Sequence, residues 1–452
     1  MDTQNLDTVH VEPDWPSARR GWYAVFVLTL SLFVNFLDRG IIALLVPNIK
    51  ADLQLTDTQL SLIMGFAFVL FYMFAGIPIA RYADHGNRRN LIAIGMALWG
   101  GATALCGFAK SFAMLFAFRV SVGIGESCTG PASYSLLGDY FPPHKLPRAI
   151  AFLNFGFIAG NGLAILVGGT IIGILAANAS SFTLPLIGEL RVWQLAFILV
   201  GIPGIIVGLM MLTVREPVRR VEGAPPSLGE VKDFLKDKRW MYAPLIIGIA
   251  LNTIVAVGHA SWGPTFFMRT YGWAVETVGL VSGLTFIVVM PFGAMLGSMM
   301  AERWTREGRA DANMRVVMFA LIISLPFNIA APLMPQGWMS AGLFAFGLFF
   351  TAFLFGPQNA AIQLATPNRM RGMISALVLF GFNVLGYGLG PTVLALITNY
   401  VFQDEMQIGY AMATCYAVFS PIAIIVLWIA IKPYADTIRE LHGTGVQPQA
   451  AE

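Results

Sequence analysis

The sequence predicts an all-α membrane protein whose twelve transmembrane helices form two six-helix bundles. Three observations carry that expectation. The chain of 452 residues is 57% hydrophobic and only 12% charged, about half the charged share of a soluble domain. Apolar runs of about 20 residues, enough to cross a bilayer as a helix, recur along the chain. One long polar interior stretch, 215–239, divides them six and six.

In order, the segments lie near 22–47, 57–80, 90–109, 111–137, 149–175, 193–214, 241–268, 277–301, 315–334, 338–365, 372–402 and 408–431. Lys and Arg orient them: with the amino terminus inside, the cytoplasmic stretches hold 22 basic residues and the outer loops 4, while Arg39 and Arg119 lie within segments. Both termini are therefore expected in the cytoplasm. The formal net charge of +3 reflects this topology and implies no nucleic-acid partner. Acidic residues before the first run, and that run's length, argue against a cleavable signal peptide. Cys106, Cys128 and Cys415 lie in apolar runs without metal or disulfide spacing, so no metal site is expected.

The expected organisation is a disordered tail (1–18), an N-terminal bundle (19–214), a cytoplasmic linker (215–240), a C-terminal bundle (241–435) and a second disordered tail (436–452). Pro217, Pro225 and Pro226 interrupt the linker. Within it, Ser227-Leu-Gly-Glu230 has the capping-box pattern for a short helix with Val231, Phe234 and Leu235 on one side; a plain tether is the alternative. At an offset of 226, Gly130-Pro131 matches Gly356-Pro357, Gly160 matches Gly386 and Gly162 matches Gly388. That register indicates a duplicated six-helix unit, with a site near the midplane between the halves.

Segment 1 contains Asn35-Phe-Leu-Asp38-Arg39. A charged side chain within a span costs about 2.5–3.5 kcal/mol on insertion scales, so a functional reading is the default. Adjacent helical residues point about 100° apart, so Asp38 and Arg39 must look to other partners. In segment 4, Arg119, Gly123 and Glu126 share one face at i, i+4, i+7. Gly123 keeps that face slim for a close neighbour. The four charges can balance. Making or breaking Asp38–Arg119 or Glu126–Arg119 contacts would change a carboxylate's proton affinity, which is a means of proton coupling; a static cluster joining segments 1 and 4 is the alternative.

The loop from Ala80 to Arg89 places Asp84 before a tight turn and Arg88 and Arg89 after it, with Asn87 able to take a left-handed backbone. Segment 7 offers Asn252, His259 and Trp262; His259 could titrate, bind substrate or pack helices. Segment 10 carries a stripe of Phe346, Phe349, Phe350 and Phe353, either packing or an apolar cavity wall. Asn383 with Gly386, Gly388 and Gly390 reads as close helix packing. No phosphate-binding GxxxxGK[ST], GxSxG or HExxH pattern occurs, so an enzyme or ATP-driven motor of these types is not expected.

These motifs resemble the major facilitator superfamily. The loop around Asp84, Arg88 and Arg89 resembles its signature between helices 2 and 3, although Ala80 and Asn87 replace usual glycines. Arg119, Gly123, Gly125 and Pro131 resemble its helix 4 motif, and the return loop Asp139-Tyr-Phe-Pro142-Pro143 with Arg148 fits as well. Gly156-xxx-Gly160 resembles the antiporter motif, with Asn161 in place of proline.

Within the superfamily, the combination Asn35-x-x-Asp38-Arg39, Asp84-x-x-Asn87-Arg88-Arg89 and Gly123-x-Gly125-Glu126 is most similar to the spinster family. The resemblance implies a monomeric, proton-coupled exporter of lysolipid or sphingoid amphiphiles in a bacterial inner membrane, surrounded by membrane lipids and using no cofactor. It implies proton coupling by Asp38 and Glu126 beside Arg119, and a cytoplasmic gate at Asp84, Arg88 and Arg89. Asn35, Arg39, Asn252, His259, Phe349 and Phe353 are the expected cavity residues. A sugar-acid/proton symporter is the alternative within the superfamily, and a non-cycling receptor or channel the alternative outside it.

Overall fold

A computed structural model describes residues 15–142, 144–178, 181–184, 188–219 and 227–442. Most of both expected tails, Pro143 and the linker stretch 220–226 with Pro225 and Pro226 lie outside the described residues, as do the side chains of Asp84 and Asn383.

All twelve segments are helical. In the first half, segment 1 is α1 (Ala18–Leu53); segment 2 is α2 (Asp57–Ser61), a π-turn (Leu62–Phe66) and α3 (Ala67–His85); segment 3 is α4 (Arg88–Cys106). Segment 4 comprises α5 (Phe112–Glu126) and α6 (Gly130–Tyr140), and segments 5 and 6 are α7 (Leu146–Asn178) and α8 (Val192–Met211). The linker helix is α9 (Leu228–Asp237). In the second half, segment 7 is α10 (Arg239–Tyr271), and segment 8 is α11 (Val275–Leu284), a π-turn (Thr285–Val289) and α12 (Met290–Arg306). Segment 9 is α13 (Ala312–Ala330), segment 10 is α14 (Gly337–Ala352) and α15 (Phe355–Leu364), and segments 11 and 12 begin with α16 (Arg371–Leu396) and α17 (Ile408–His442).

Among the described residues, ten of these stretches are long and apolar enough to span a membrane by themselves. Segment 3, which opens on Arg88 and Arg89, and the broken segment 4 complete the twelve. Segment 12 corrects one boundary: it remains helical to His442, past the expected start of a tail at 436, because Tyr434, Thr437 and Ile438 are buried in the second half. A second departure from expectation is a hairpin between segments 5 and 6, with β1 (Ser181–Leu184) antiparallel to β2 (Gly188–Arg191). Asp52 at the end of α1 anchors it, accepting from Trp193 Nε1 at 2.8 Å and pairing with Arg191 at 2.8 Å.

The linker forms the expected capped helix. Ser227 accepts from the Glu230 amide at 3.2 Å, and Glu230 accepts from the Ser227 amide at 3.0 Å. Val231 is buried and Phe234 lies edge-on to Tyr242, so α9 docks on the second half.

The repeat appears as geometry. Segment 4 breaks at 127–129 and segment 10 at 353–354, each just before its Gly-Pro pair, Gly130-Pro131 or Gly356-Pro357. Gly160 of α7 packs on Phe36 of α1, and its counterpart Gly386 of α16 packs on Thr253 of α10. Gly162 faces Ile287 across the halves and Gly388 faces Val69 across them, as a pseudo-twofold relation requires.

An even number of crossings puts both chain ends at one end of the bundle, the terminal end. At the opposite, far end, one apolar core draws on both halves, joining Ile41, Leu45, Ile63 and Ile165 to Val255, Trp262, Phe266 and Leu394. Toward the terminal end the core divides: one cluster is built from the first half, reached by Tyr387 of α16, and another belongs to the second half. The halves thus join at the far end and part toward the terminal end. Three contacts close the junction, α7 against α11, segment 2 against α16 and α1 against α10. At the first, a Cβ on Gly169 would stand 2.8 Å from Gly279 Cα. Overpacking of this kind costs about 1–3 kcal/mol. Gly169→Leu is therefore expected to favour the arrangement in which the far end opens, raising far-end accessibility to a water-soluble thiol reagent; unchanged labelling would refute it.

Candidate functional site

The four charges of segments 1 and 4 form two ion pairs in a crossed arrangement. Arg119 Nη1 donates to Asp38 Oδ2 at 2.7 Å, and Thr103 of α4 donates to Asp38 Oδ1 at 3.1 Å. Arg39 binds Glu126 instead, its Nε donating to Oε2 at 3.1 Å and its Nη2 lying closer still. The sequence argument named Asp38–Arg119 and Glu126–Arg119 contacts and left Arg39 without a partner. In the fold, each acid takes a different arginine because Asp38 and Arg39 leave α1 about 100° apart, while Arg119 and Glu126 stand two turns apart on α5.

Gly123 brings a third helix into the site. A Cβ there would collide with the Phe68 carbonyl oxygen, so its absence lets α3 lay Phe68 over the charges. The Arg39 guanidinium lies 4.3 Å from the Phe68 ring centroid and 5.3 Å from that of Phe36; Arg119 lies 5.9 Å from Phe68. Such stacking favours a desolvated cation.

The two pairs differ in access. Side-chain exposure is 1% for Arg119 and 0% for Asp38, but 26% for Arg39 against 1% for Glu126. One pair is sealed in the helix packing; in the other, the arginine can meet an entering group. Glu126 Oε1 and Arg119 Nε remain without hydrogen-bond partners. Asn35, one turn before Asp38, is buried.

The other expected cavity residues separate. Asn252 lines a small cavity in the second half. His259 packs edge-on to Phe344 at 4.4 Å and beside Tyr416 at 6.2 Å, within the second half's packing. Phe349 and Phe353 of segment 10 bring their backbones against Gly293 and Gly297 of α12, and Phe353 belongs to the second half's core. The two glycines admit the phenylalanine backbones; Phe353 is buried there, while Phe349 is half-buried and Phe346 is exposed.

The expected gate is also differently connected. Arg88 is buried within its own half, donating to Asp139, to the Ser135 carbonyl at 3.1 Å and hydroxyl at 3.0 Å, and to Glu216 at 2.7 Å. Glu216 also accepts from the Arg89 amide at 2.8 Å, tying the linker to the start of α4. Arg89 Nε donates to Asn90 at 2.9 Å. Asn87 has extended rather than left-handed backbone and caps α4, accepting from the Asn90 amide at 2.8 Å. The Asp84 side chain is outside the described residues.

Sequence reasoning missed a charged clamp across the far end. Asp57, at the start of α2, accepts from Lys50 at 2.6 Å and from both terminal nitrogens of Arg269 in the other half, at 2.9 and 3.2 Å. Lys50 also pairs with Glu405 of the second half, and Arg269 donates to the Glu405 carbonyl at 3.1 Å. The Asp57 side chain is 1% exposed. The available signal was the scarcity of basic residues in the outer loops: Lys50 and Arg269 are two of the four counted there.

The Major Facilitator Superfamily profile matches residues 28–391. The chain is 26% identical over 441 residues to an MFS-type efflux pump of Mycolicibacterium smegmatis, covering 96% of this chain and 98% of the relative. It is 22% identical over 417 residues to a hexuronate transporter of Bacillus subtilis, covering 89% and 93%. The crystal structure of a bacterial homolog to the human lysosomal transporter Spinster, inward-facing and unoccupied, matches with TM-score 0.77 at 28% identity, covering 96% of this chain and 100% of that one. A family match across most of the chain, joined to a fold shared with a Spinster homolog, establishes the class. The chain belongs to the Major Facilitator Superfamily as a Spinster-related membrane transporter, not an enzyme.

Proposed function

We propose that the chain is a proton-coupled secondary transporter of lysolipid or sphingoid amphiphiles, working by alternating access as a monomer in a bacterial inner membrane. The observation that carries this reading is the Arg39–Glu126 pair, partly accessible on its arginine side. An anionic headgroup binding Arg39 competes with Glu126, and the released carboxylate can take a proton. Asp38 and Arg119 are the second, sealed coupling pair. The 22-to-4 asymmetry of basic residues assigns the terminal end to the cytoplasm, so the arrangement described is inward-open. On this reading the loop holding Asp84 is the cytoplasmic gate, with Arg88 and Arg89 securing its base.

The reading is tested with purified protein in liposomes by comparing a lysolipid with a hexuronate under an imposed pH gradient. Lysolipid movement is expected to respond to the gradient, and Glu126→Gln, which cannot cycle a proton, to slow gradient-driven movement by at least about tenfold, or roughly 1.4 kcal/mol. An unaltered pH response would refute coupling through Glu126. The sugar-acid alternative is favoured by the similarity to the hexuronate transporter and by an accessible arginine suited to carboxylates; saturable movement of the hexuronate alone would establish it.

A further inference from the structure

The second half contains a neutral polar site that the charged pairs leave unused. Asn252 of α10, Ser324 and Asn328 of α13, Thr351 of α14, and Tyr416 and Ser420 of α17 line a cavity of about 20 Å³. That is room for one water or one hydroxyl group.

Hydrogen bonding sets the character of this cavity. Thr351 Oγ1 donates its proton to the Gly347 carbonyl at 3.0 Å, so it accepts from Asn328 Nδ2 at 3.4 Å. The Asn328 amide is thereby oriented, and its buried Oδ1 has no donor. Among the described residues, Asn252 and the hydroxyls of Tyr416 and Ser420 likewise make no hydrogen bond within the protein. Tyr416 and Ser420 are each 6% exposed. Buried polar groups are ordinarily paired; Asn328 Oδ1 is buried without a donor, and with the Tyr416 and Ser420 hydroxyls and the half-buried Asn252 amide the lining can accept from and donate to one small polar group. Among the described residues no charged side chain lines the cavity, and an isolated ion there would remain unneutralised. An alcohol group meets both conditions.

Val255 belongs to the far-end core shared by both halves, and Asn252, one turn toward the terminal end, is half-buried.

We propose that this cavity is a hydroxyl-reading subsite that receives one alcohol group of the transported headgroup, while Arg39 and Glu126 meet its charged part. The inference rests on the transporter reading above, and it suits either substrate class because lysolipids and sugar acids both carry alcohol groups.

The test uses the full chain in liposomes with two matched pairs: a 1-acyl lysolipid and its 2-deoxy analogue, and a hexuronate and a monodeoxy hexuronate. For the class that is moved, the wild type is expected to prefer the hydroxylated member by about tenfold, and Tyr416→Phe/Ser420→Ala to reduce that preference to near parity. A general folding defect lowers both members equally and leaves the ratio intact, so the ratio is the readout. Asn328→Leu, which removes the unpaired carbonyl at similar volume, is expected to act in the same direction. Equal movement of both members by the wild type would overturn the subsite. So would an unaltered preference in variants that change only melting temperature, which would identify the cavity as the seat of a structural water. Movement of neither class would overturn the transporter reading, and the subsite with it.

Discussion

Arg119→Gln is expected to abolish transport and to destabilise the protein by about 3–5 kcal/mol, the usual cost of removing one partner from a buried ion pair. Asp38 would retain only the Thr103 hydroxyl, at 3.1 Å, against a charge with 0% side-chain exposure. The double variant Asp38→Asn/Arg119→Gln is expected to recover most of the stability, since two neutral groups replace two charges at similar volume, without recovering coupled transport. Thermal unfolding of the purified protein, alongside liposome transport, measures both effects. A double variant no more stable than Arg119→Gln would show that Asp38 and Arg119 are not an isolated unit.

Asp57→Asn is expected to open the far end. Its carboxylate accepts three hydrogen bonds from cations, two of them from Arg269 of the opposite half. Bonds to charged groups contribute about 1.5–3 kcal/mol each, and every 1.4 kcal/mol is about tenfold in population. Loss of the cross-half pair alone should therefore enrich the far-end-open state by at least about tenfold. The clamp must separate whenever that end opens, so its strength sets how the two states are populated. Spin labels at exposed Gln54 and Gln336, one in each half, report the change as a longer distance component. A distance distribution unchanged from the wild type would refute the clamp. Because Asp57 is buried, added salt should mimic the substitution only weakly.

The sequence made the site recognisable but not its wiring. Asp38, Arg39, Arg119 and Glu126 were conspicuous because charge is rare and costly within a span. Which acid meets which arginine depends on helix rotation and on the approach of Phe68 that Gly123 permits. The clamp was less visible. Lys50, Asp57, Arg269 and Glu405 resemble ordinary charges near segment ends, and only packing of the two halves makes Asp57 a buried junction. The phenylalanine stripe shows a further limit: helical spacing defined its face, but Gly293 and Gly297 decided that the face meets another helix.

Composition and apolar length by themselves determined twelve helices, because hydrocarbon thickness and backbone hydrogen bonding leave a spanning chain few alternatives; basic-residue asymmetry set their expected orientation, and the glycine and proline register at an offset of 226 indicated the duplication. The tertiary structure decided the pairing of the four charges, the closure at the far end and the separation toward the terminal end. The charge pairs join residues 81 and 87 positions apart, and the far-end clamp joins residues 212 apart. A transporter must be able to exchange such contacts while keeping the same helices, so the pattern that specifies the helices does not choose between its conformations.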